Sequence, residues 1–300
     1  MIGPRMPLRP PVQDLRLGAL FMVASAALFA AMGAGIKLAS RELPNAMVVF
    51  FRNAVGLVVL LPWLLRDGLR GLHTRDLPGH IVRGLAGLAA MYCFFYAIAN
   101  LRLADAVLLN QSVPLFLPLV GSLWLGESFP KRLWSVLVLG LVGIVLILKP
   151  GTGLFTVASL VGLASAVLAA VAQVGVRRLT LTEPVTRIVF YFGLIGSLAS
   201  AIPAALAWST PSPPLWGVLL AIGGFATFGQ LALTRAYAHA PAAQVGPFIY
   251  AGPVFAGFLD WWIWKSLPDA LFVLGAGLVV LAAVLMLRRS VLPAEAVLET

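Results

Sequence analysis

The sequence repeats itself at an interval of 139 residues, which is close to half of its 300-residue length. Each copy contains apolar segments separated by short polar breaks, and identical or similar residues recur at matching positions. The matched pairs are Gly84 and Gly223, Ala97 and Ala236, Ala99 and Ala238, Ala104 and Ala243, Pro114 and Pro253, Phe116 and Phe255, and Lys149 and Arg288. This pattern indicates a duplicated protein, and we expect its function to lie where the two copies meet.

The apolar segments are too long and too numerous for a water-soluble fold. Hydrophobic residues make up 61% of the chain and charged residues only 11%, whereas soluble domains have about a quarter charged residues. A helix needs about 20 apolar residues to cross a bilayer, and runs without alternation predict helices rather than strands. The predicted fold class is therefore all-α integral membrane. Ten segments qualify as transmembrane helices: 17–39, 44–65, 79–100, 103–125, 132–149, 154–176, 185–208, 214–238, 241–264 and 268–288.

The Lys and Arg residues are distributed unequally between the two ends of these segments. Of the 21, Arg52 lies inside a segment, 15 lie at the termini or in the even-numbered loops, and five lie in the odd-numbered loops: Lys37, Arg41, Arg102, Lys149 and Lys265. The positive-inside rule then predicts that both termini are cytoplasmic. Because five crossings per copy is an odd number, the second copy must enter the membrane upside down, which gives two inverted five-helix repeats.

These counts set the expected boundaries and partners. We expect a cytoplasmic N-terminal tail at 1–16, a first repeat at 17–150, a second repeat at 151–289 and a cytoplasmic C-terminal tail at 290–300. The basic residues lie between apolar runs and form no stripe on a soluble module, so the net charge of +10 does not indicate nucleic-acid binding. The expected partners are the lipid bilayer and a small-molecule substrate, and a homodimer is compatible with the pattern.

The end of the first copy resembles a known family. Leu123-Trp124-Leu125-Gly126-Glu127 is followed by a basic pair, then by Gly140-Leu141-Val142-Gly143 and by Lys149-Pro150. With Arg52 in Phe50-Phe51-Arg52-Asn53 and Lys37 closing the first segment, this pattern resembles the EamA domain of the drug/metabolite transporter superfamily.

The resemblance covers nearly the whole chain and implies a secondary transporter of the bacterial inner membrane. The chain most resembles the branch that exports aromatic amino acids and the dication paraquat. The second copy departs from the pattern, because Ser266 stands near the place of Glu127 and Tyr191 near that of Arg52. The two copies therefore cannot form a symmetric pair of sites.

Arg52 and Lys37 are the charged candidates for substrate binding. A charge inside a membrane helix is costly and marks a transport pathway by default. Arg52 either binds a substrate carboxylate or forms a structural tie to Glu127 or Asp105 of a neighbouring helix. Lys37 lies nearer the outer end, where it either contacts substrate or extends to the interface.

Uncharged polar and aromatic residues are the other cavity candidates, because such groups in hydrocarbon need partners that a central cavity supplies. Aromatic faces suit flat aromatic substrates and organic cations. The alternative is ordinary hydrogen bonding between helices. The family resemblance assigns helices three, four, eight and nine to the cavity wall. The candidates there are Tyr92, Tyr96, Asn110, Gln111, Gln230, Tyr237, Gln244 and Tyr250.

Prolines at equivalent positions of the fourth and ninth helices are hinge candidates. Pro114 and Pro253 would kink these helices and free backbone groups, and Gly246-Pro247 adds a second break in the ninth. They are either hinges for alternating access or static bends.

No enzyme motif accompanies these features. The chain has no HExxH, CxxC or Walker loop, no paired intramembrane aspartates, and one cysteine, Cys93, so we expect no catalysis, metal or cofactor. The primary hypothesis is an exporter of small amphipathic metabolites, namely aromatic or neutral amino acids or organic cations such as paraquat. The alternatives are a lipid flippase or scramblase, and an importer of another metabolite; an anionic one would give Arg52 and Lys37 a direct role.

Overall fold

The computed structural model describes residues 14–67, 69–100, 109–127, 130–148, 156–265 and 269–291. Within these ranges every regular element is helical, as the fold class predicts. The ten long helices of this part of the chain are α1 Leu15–Ala39, α2 Asn45–Asp67, α3 Leu77–Asn100, α4 Val113–Leu125, α5 Trp134–Leu148, α6 Val157–Leu179, α7 Val185–Leu206, α8 Pro213–His239, α9 Ala251–Trp264 and α10 Ala270–Val291.

Length and composition allow most of these helices to cross a membrane. Six described spans satisfy both criteria: α1, the first part of α2, α6, α7, α8, and the stretch Ala242–Ile263 that includes α9. Three shorter apolar helices correspond to α4, α5 and α10. The protein is therefore an all-α integral membrane protein of ten transmembrane helices, arranged as two inverted five-helix repeats.

The helix ends follow from local capping chemistry. The first helix of each repeat begins after a capping side chain: Asp14 Oδ1 accepts a hydrogen bond from the Leu17 N–H (3.0 Å), and Thr156 Oγ1 accepts one from the Ser159 N–H (3.2 Å). Helix α4 ends at Gly126, whose φ of 67° lies in the left-handed region that glycine tolerates.

The fourth and ninth predicted helices are interrupted, which corrects the continuous segments 103–125 and 241–264. A turn at Gln111 and Ser112 precedes α4, and the 3-10 segment Gly246–Tyr250 separates the one-turn helix Ala242–Val245 from α9. Pro114 and Pro253 therefore lie in the first turn of the helical part that follows each break, where a missing N–H leaves no hydrogen bond unmade. That Pro114 and Pro253 act as hinges stays a prediction, and the same holds for Gly246 and Pro247.

The packing of the helices has an approximate two-fold symmetry that relates helix n to helix n+5. The contact between α1 and α8 has its equivalent in the contact between α6 and α3. The contact between α1 and α9 likewise has its equivalent in the contact between α6 and α4. Similarly, α2 contacts α8 as α7 contacts α3, whereas α2–α7 and α5–α10 each join one helix to its own equivalent. Most large interfaces thus join the two repeats, which is the arrangement expected of inverted repeats that share one path.

Close helix approach accompanies this interleaving. In the α5–α10 interface, a Cβ on Gly143 would lie only 2.7 Å from the carbonyl oxygen of Gly275, so these backbones touch directly. The largest group of buried side chains joins helices of both repeats, including Met22 of α1, Leu137 of α5 and Leu179 of α6.

Candidate functional site

Two arginines from the first repeat meet at one aromatic ring from the second. Arg52 of α2 is 8% exposed and Arg83 of α3 is 4% exposed, so both are buried within the bundle. The Arg83 guanidinium lies 3.6 Å from the centre of the Phe192 ring on α7, and that of Arg52 lies 5.6 Å from the same centre. Both guanidinium groups therefore lie within the roughly 6 Å range of cation–π attraction to the Phe192 ring.

Neutral amides provide the only hydrogen bonds to these arginines among the described residues. Arg83 Nη2 donates to Gln230 Oε1 of α8 (2.9 Å), and Arg52 Nη1 donates to Asn53 Oδ1 (3.1 Å). Arg83 Nε and Nη1 are buried, and no described residue provides an acceptor for them. Within the described ranges no carboxylate pairs with either guanidinium.

A narrow cleft opens beside Arg52, between α2 of the first repeat and α7 and α8 of the second. Two glycines in its wall allow a close approach of the helices, because a Cβ on Gly56 would lie 2.7 Å from Thr227 Oγ1 and one on Gly193 would lie 3.0 Å from Leu57. Its lining residues are Arg52, Asn53, Gly56, Leu60, Val189, Phe192, Gly193, Ala226, Thr227 and Gln230. The lining is mostly apolar with a few convergent polar groups, which is the usual character of a small-molecule site.

The loop before α3 covers one end of this region. Glu183, between α6 and α7, is 3% exposed and accepts hydrogen bonds from Thr74 Oγ1 (2.8 Å) and the Arg75 N–H (3.1 Å), and it also pairs with Arg187. Arg187 Nε in turn donates to the Gly71 carbonyl (2.7 Å). We call residues 69–76 and the Glu183–Arg187 pair the latch. The charge distribution predicts that it lies at the cytoplasmic end.

The latch and the arginine pair are linked through α3 and α7. His80 of α3 stacks on Tyr191 of α7 with 4.4 Å between ring centres, and the Tyr191 hydroxyl donates to the Leu72 carbonyl (2.9 Å). His80 is buried and both of its ring nitrogens lack a hydrogen-bond partner within the described structure. Arg83 lies one turn further along α3, so the ring stack separates the arginine pair from the latch.

The electrostatics of the latch favour an ionised carboxylate. Burial alone would raise the pKa of Glu183, but the hydrogen bonds from Arg187, Thr74 and the Arg75 backbone outweigh burial and hold the pKa below its ordinary value of 4.5. The latch is therefore fully formed at neutral pH.

Arg177 forms a separate, structural charge site at the end of α6. Its Nε donates to Glu127 Oε1 (3.0 Å) and its Nη1 to the Tyr237 carbonyl (2.8 Å) at the end of α8. Glu127, one of the two expected ties for Arg52, thus pairs with Arg177 instead. The other expected tie, Asp105, lies outside the described residues.

Of the predicted site residues, the structure brings together Arg52 and Gln230. Lys37 is exposed in the last turn of α1, and Tyr96 is exposed on α3. Asn110 donates to Ser165 Oγ (3.3 Å) on α6, and Gln111 lies in the break before α4. These four belong to other surfaces or interfaces of the bundle in this structure.

The predicted tyrosines and Gln244 lie apart from the arginine pair. The Tyr92 hydroxyl is buried and has no hydrogen-bond partner among the described residues, whereas the Tyr237 hydroxyl donates to Gln173 Oε1 in the core. Tyr250 packs near α5 and α10 and lines a separate, small apolar crevice. Gln244 is half-buried in the one-turn helix before α9. Cavity lining by these residues stays a prediction.

Sequence reasoning missed Asn53, Arg83, Phe192 and Thr227. Arg83 was assigned to the loop charges, although it already falls inside the predicted span 79–100, which is the signal for an intramembrane charge. Phe192 offers no signal, because an aromatic residue does not stand out in an apolar helix. No group of three or more His, Cys, Asp or Glu residues that could hold a metal occurs among the described residues.

Comparisons with known proteins agree with this architecture. Residues 16–149 and 156–288 each match the EamA-like transporter family. A crystal structure superposes with a TM-score of 0.78 over 92% of this chain and 99% of its own, at 21% identity, which shows the fold alone.

Characterised relatives match over most of their length. The pseudopaline exporter CntI of Pseudomonas aeruginosa is 39% identical over 91% of this chain and 97% of its own. A riboflavin transporter of Brucella anthropi is 29% identical over 89% and 97% of the two chains. An S-adenosylmethionine uptake transporter of Rickettsia prowazekii is 26% identical over 84% and 85%. The chain therefore belongs to the EamA-like transporter family, and it is a multi-pass membrane transporter of small metabolites rather than an enzyme.

Proposed function

We propose that this protein exports small amphipathic metabolites, amino acids foremost, from the cytoplasm by alternating access between its two repeats. It does so in the bacterial inner membrane with both termini in the cytoplasm, in agreement with the distribution of Lys and Arg. The units that move against each other are the repeats at 17–150 and 151–289.

The observation that supports this proposal is the cleft between the repeats. Its polar groups, Arg52 and Asn53 from the first repeat and Thr227 and Gln230 from the second, are carried by helices that cross the membrane. Buried polar groups at the interface of inverted repeats are the usual location of a transporter's substrate. A relative rotation of the repeats would expose such groups to one side of the membrane at a time.

The outward direction is supported by the pseudopaline exporter, which is 39% identical to this chain. The S-adenosylmethionine uptake transporter is more distant at 26% identity, and it is the reason that import of another metabolite is the alternative. Aromatic and neutral amino acids fit a cleft that combines an apolar wall with polar groups at one end.

The test is accumulation of labelled amino acids in inside-out membrane vesicles. Gln230→Ala removes an amide that lines the cleft and bonds Arg83, so we expect transport to fall about tenfold or more while expression is unchanged. The control, Asn100→Ala, removes an exposed amide whose bond is to the Tyr96 carbonyl, and should transport normally. Equal transport by Gln230→Ala and the control would contradict a substrate path through the cleft. Phospholipid movement in protein-containing liposomes would indicate a flippase instead.

A further inference from the structure

We propose that Arg52 and Arg83 form a carboxylate-binding site, so that the transported substrate must carry a free carboxylate. This inference rests on the proposed function and names the substrate class for the same cleft. It assigns Arg83 and Phe192 to the binding site and requires a negative charge on the substrate, which the proposed function alone does not.

The charge balance of the site favours an anionic ligand. Burying one guanidinium in a membrane protein costs several kcal/mol unless a counterion compensates. Here two guanidinium groups approach the same Phe192 ring, at 3.6 and 5.6 Å, and repel each other in a medium of low dielectric constant. Since no described carboxylate pairs with them, an anion is the partner that would relieve both costs.

The N–H groups of the two arginines also favour a carboxylate ligand. Among the described residues, Arg83 Nε and Nη1 are buried without an acceptor, and Arg52 uses a single donor, for the adjacent Asn53. A buried N–H without an acceptor costs free energy that a carboxylate oxygen would recover, because charge-assisted hydrogen bonds are the strong ones. The Gln230 amide and the Phe192 ring hold the Arg83 guanidinium in a fixed orientation, which lowers the entropic cost of binding.

The same site also selects between substrates. The cleft is narrow and its polar groups, Arg52, Asn53 and Gln230, converge on a mostly apolar wall, so we expect the charged end of an amino acid to enter it. The face of Phe192 already holds Arg83. A dication such as paraquat would lack that aromatic face and would be repelled by both arginines. Organic cations without a carboxylate are therefore excluded.

The test compares each acid with its carboxamide, because the two differ mainly in the anionic group. Phenylalanine, leucine, histidine and their carboxamides are titrated against the purified full chain in detergent, and affinity is measured from the ligand-dependent rise in Tm. We expect at least one acid to bind about tenfold or more tightly than its carboxamide, and Arg83→Gln to remove that difference. Without ligand, Arg83→Gln should be at least as stable as the wild type, because it removes a buried charge that no described carboxylate compensates.

Matched variants separate this role from a structural one. Arg235→Gln, which removes an exposed arginine of α8 that lies over Phe21 (5.8 Å), should keep the acid preference. Gly87→Ala keeps every charged group but places a Cβ 3.0 Å from Arg83 Nη1 and 3.1 Å from Phe192, and should weaken acid binding. Gly224→Ala, with no atom within 4 Å of the added Cβ, should not.

Different results would overturn the carboxylate site and the proposed export function. Equal binding of acid and carboxamide, or failure of every acid to bind, overturns the carboxylate site. Transport of a substrate without a carboxylate, at a rate that Arg83→Gln does not change, also overturns it but leaves the proposed export function intact. Absence of export for every amino acid in vesicles would instead contradict the proposed function.

Discussion

Arg177 and Arg178 are neighbours at the end of α6, yet their surroundings differ. The Arg177 side chain is 6% exposed, pairs with Glu127 at 3.0 Å and caps the Tyr237 carbonyl. The Arg178 side chain is 38% exposed and lies 3.7 Å from Asp76. The first arginine ties α4, α6 and α8 together, whereas the second adds a partly solvated contact.

This contrast gives a prediction for stability. Arg177→Met leaves the Glu127 carboxylate and a helix-end carbonyl without partners, and should lower the free energy of unfolding by about 3–5 kcal/mol. Arg178→Met should cost less than about 1 kcal/mol, as is usual for exposed pairs. Thermal unfolding of both variants in detergent measures the difference. Equal losses for the two variants would show that the Arg177 contacts contribute no special stability.

Individual residues also show how far sequence reasoning reaches. Arg52 and Gln230 were predicted for the cavity because polar groups contrast with an apolar helix, and the structure places both at the cleft. Arg83 was counted with the loops because it follows the start of α3 closely, although its position inside the predicted span 79–100 already indicated an intramembrane charge. Phe192 lies among other apolar residues, so only the three-dimensional packing reveals its contact with two arginines.

At the scale of elements, the latch couples the linker before α3 to the loop before α7. Glu183 accepts hydrogen bonds from residues 74, 75 and 187, and Arg187 also donates to the Gly71 carbonyl. Because the latch covers the end of the site that the charge distribution predicts to be cytoplasmic, we expect it to open when substrate enters from the cytoplasm.

The latch should respond to pH in a defined direction. The Glu183 carboxyl has a pKa below 4.5 in the folded protein, so its stabilising contribution is present above about pH 4.5 and is lost as the pH falls through the lower, folded-state value. Hydrogen exchange of residues 69–76, corrected for the intrinsic rate, should therefore accelerate in acid.

A substitution tests the same contact at neutral pH. Glu183→Gln should accelerate exchange of residues 69–76 at pH 7 and abolish the further change in acid. The control is Glu42→Gln, since Glu42 is exposed and bonds Ser212 (2.8 Å) in another loop. Protection of residues 69–76 that is the same in wild type and Glu183→Gln would show that the carboxylate does not hold the latch.

The elements themselves were largely predictable, because a bilayer requires long apolar helices and hydropathy detects them. The ten predicted segments correspond to α1–α10 in order. The interruption before α9 begins at Gly246-Pro247, where the sequence predicted a break, whereas the turn at Gln111 and Ser112 before α4 was not predicted, since hydropathy is insensitive to backbone conformation. The prolines indicated a local disturbance but not that the helix stops before them.

At the scale of the whole molecule, the duplication determines both the architecture and the position of the cleft. Helices of one repeat pack mainly on helices of the other, following the n to n+5 symmetry. The chemistry of the cleft is nevertheless asymmetric, because Tyr191 occupies the position equivalent to Arg52 and Phe192 the position equivalent to Asn53. One symmetric scaffold therefore supports a single asymmetric site.

Alternating access requires this cleft to open to each side of the membrane in turn. Thr227 lines the cleft, and Thr234 is buried on the same helix outside it. After replacement of Cys93, the chain's one cysteine, by Ser, Thr227→Cys and Thr234→Cys can be reacted with a membrane-impermeant maleimide in right-side-out and inside-out vesicles. We predict that the cysteine at position 227 reacts from both sides and is protected by transported substrate, whereas the one at position 234 does not react. Reaction at position 227 from one side only, or without protection by substrate, would contradict alternating access through the cleft.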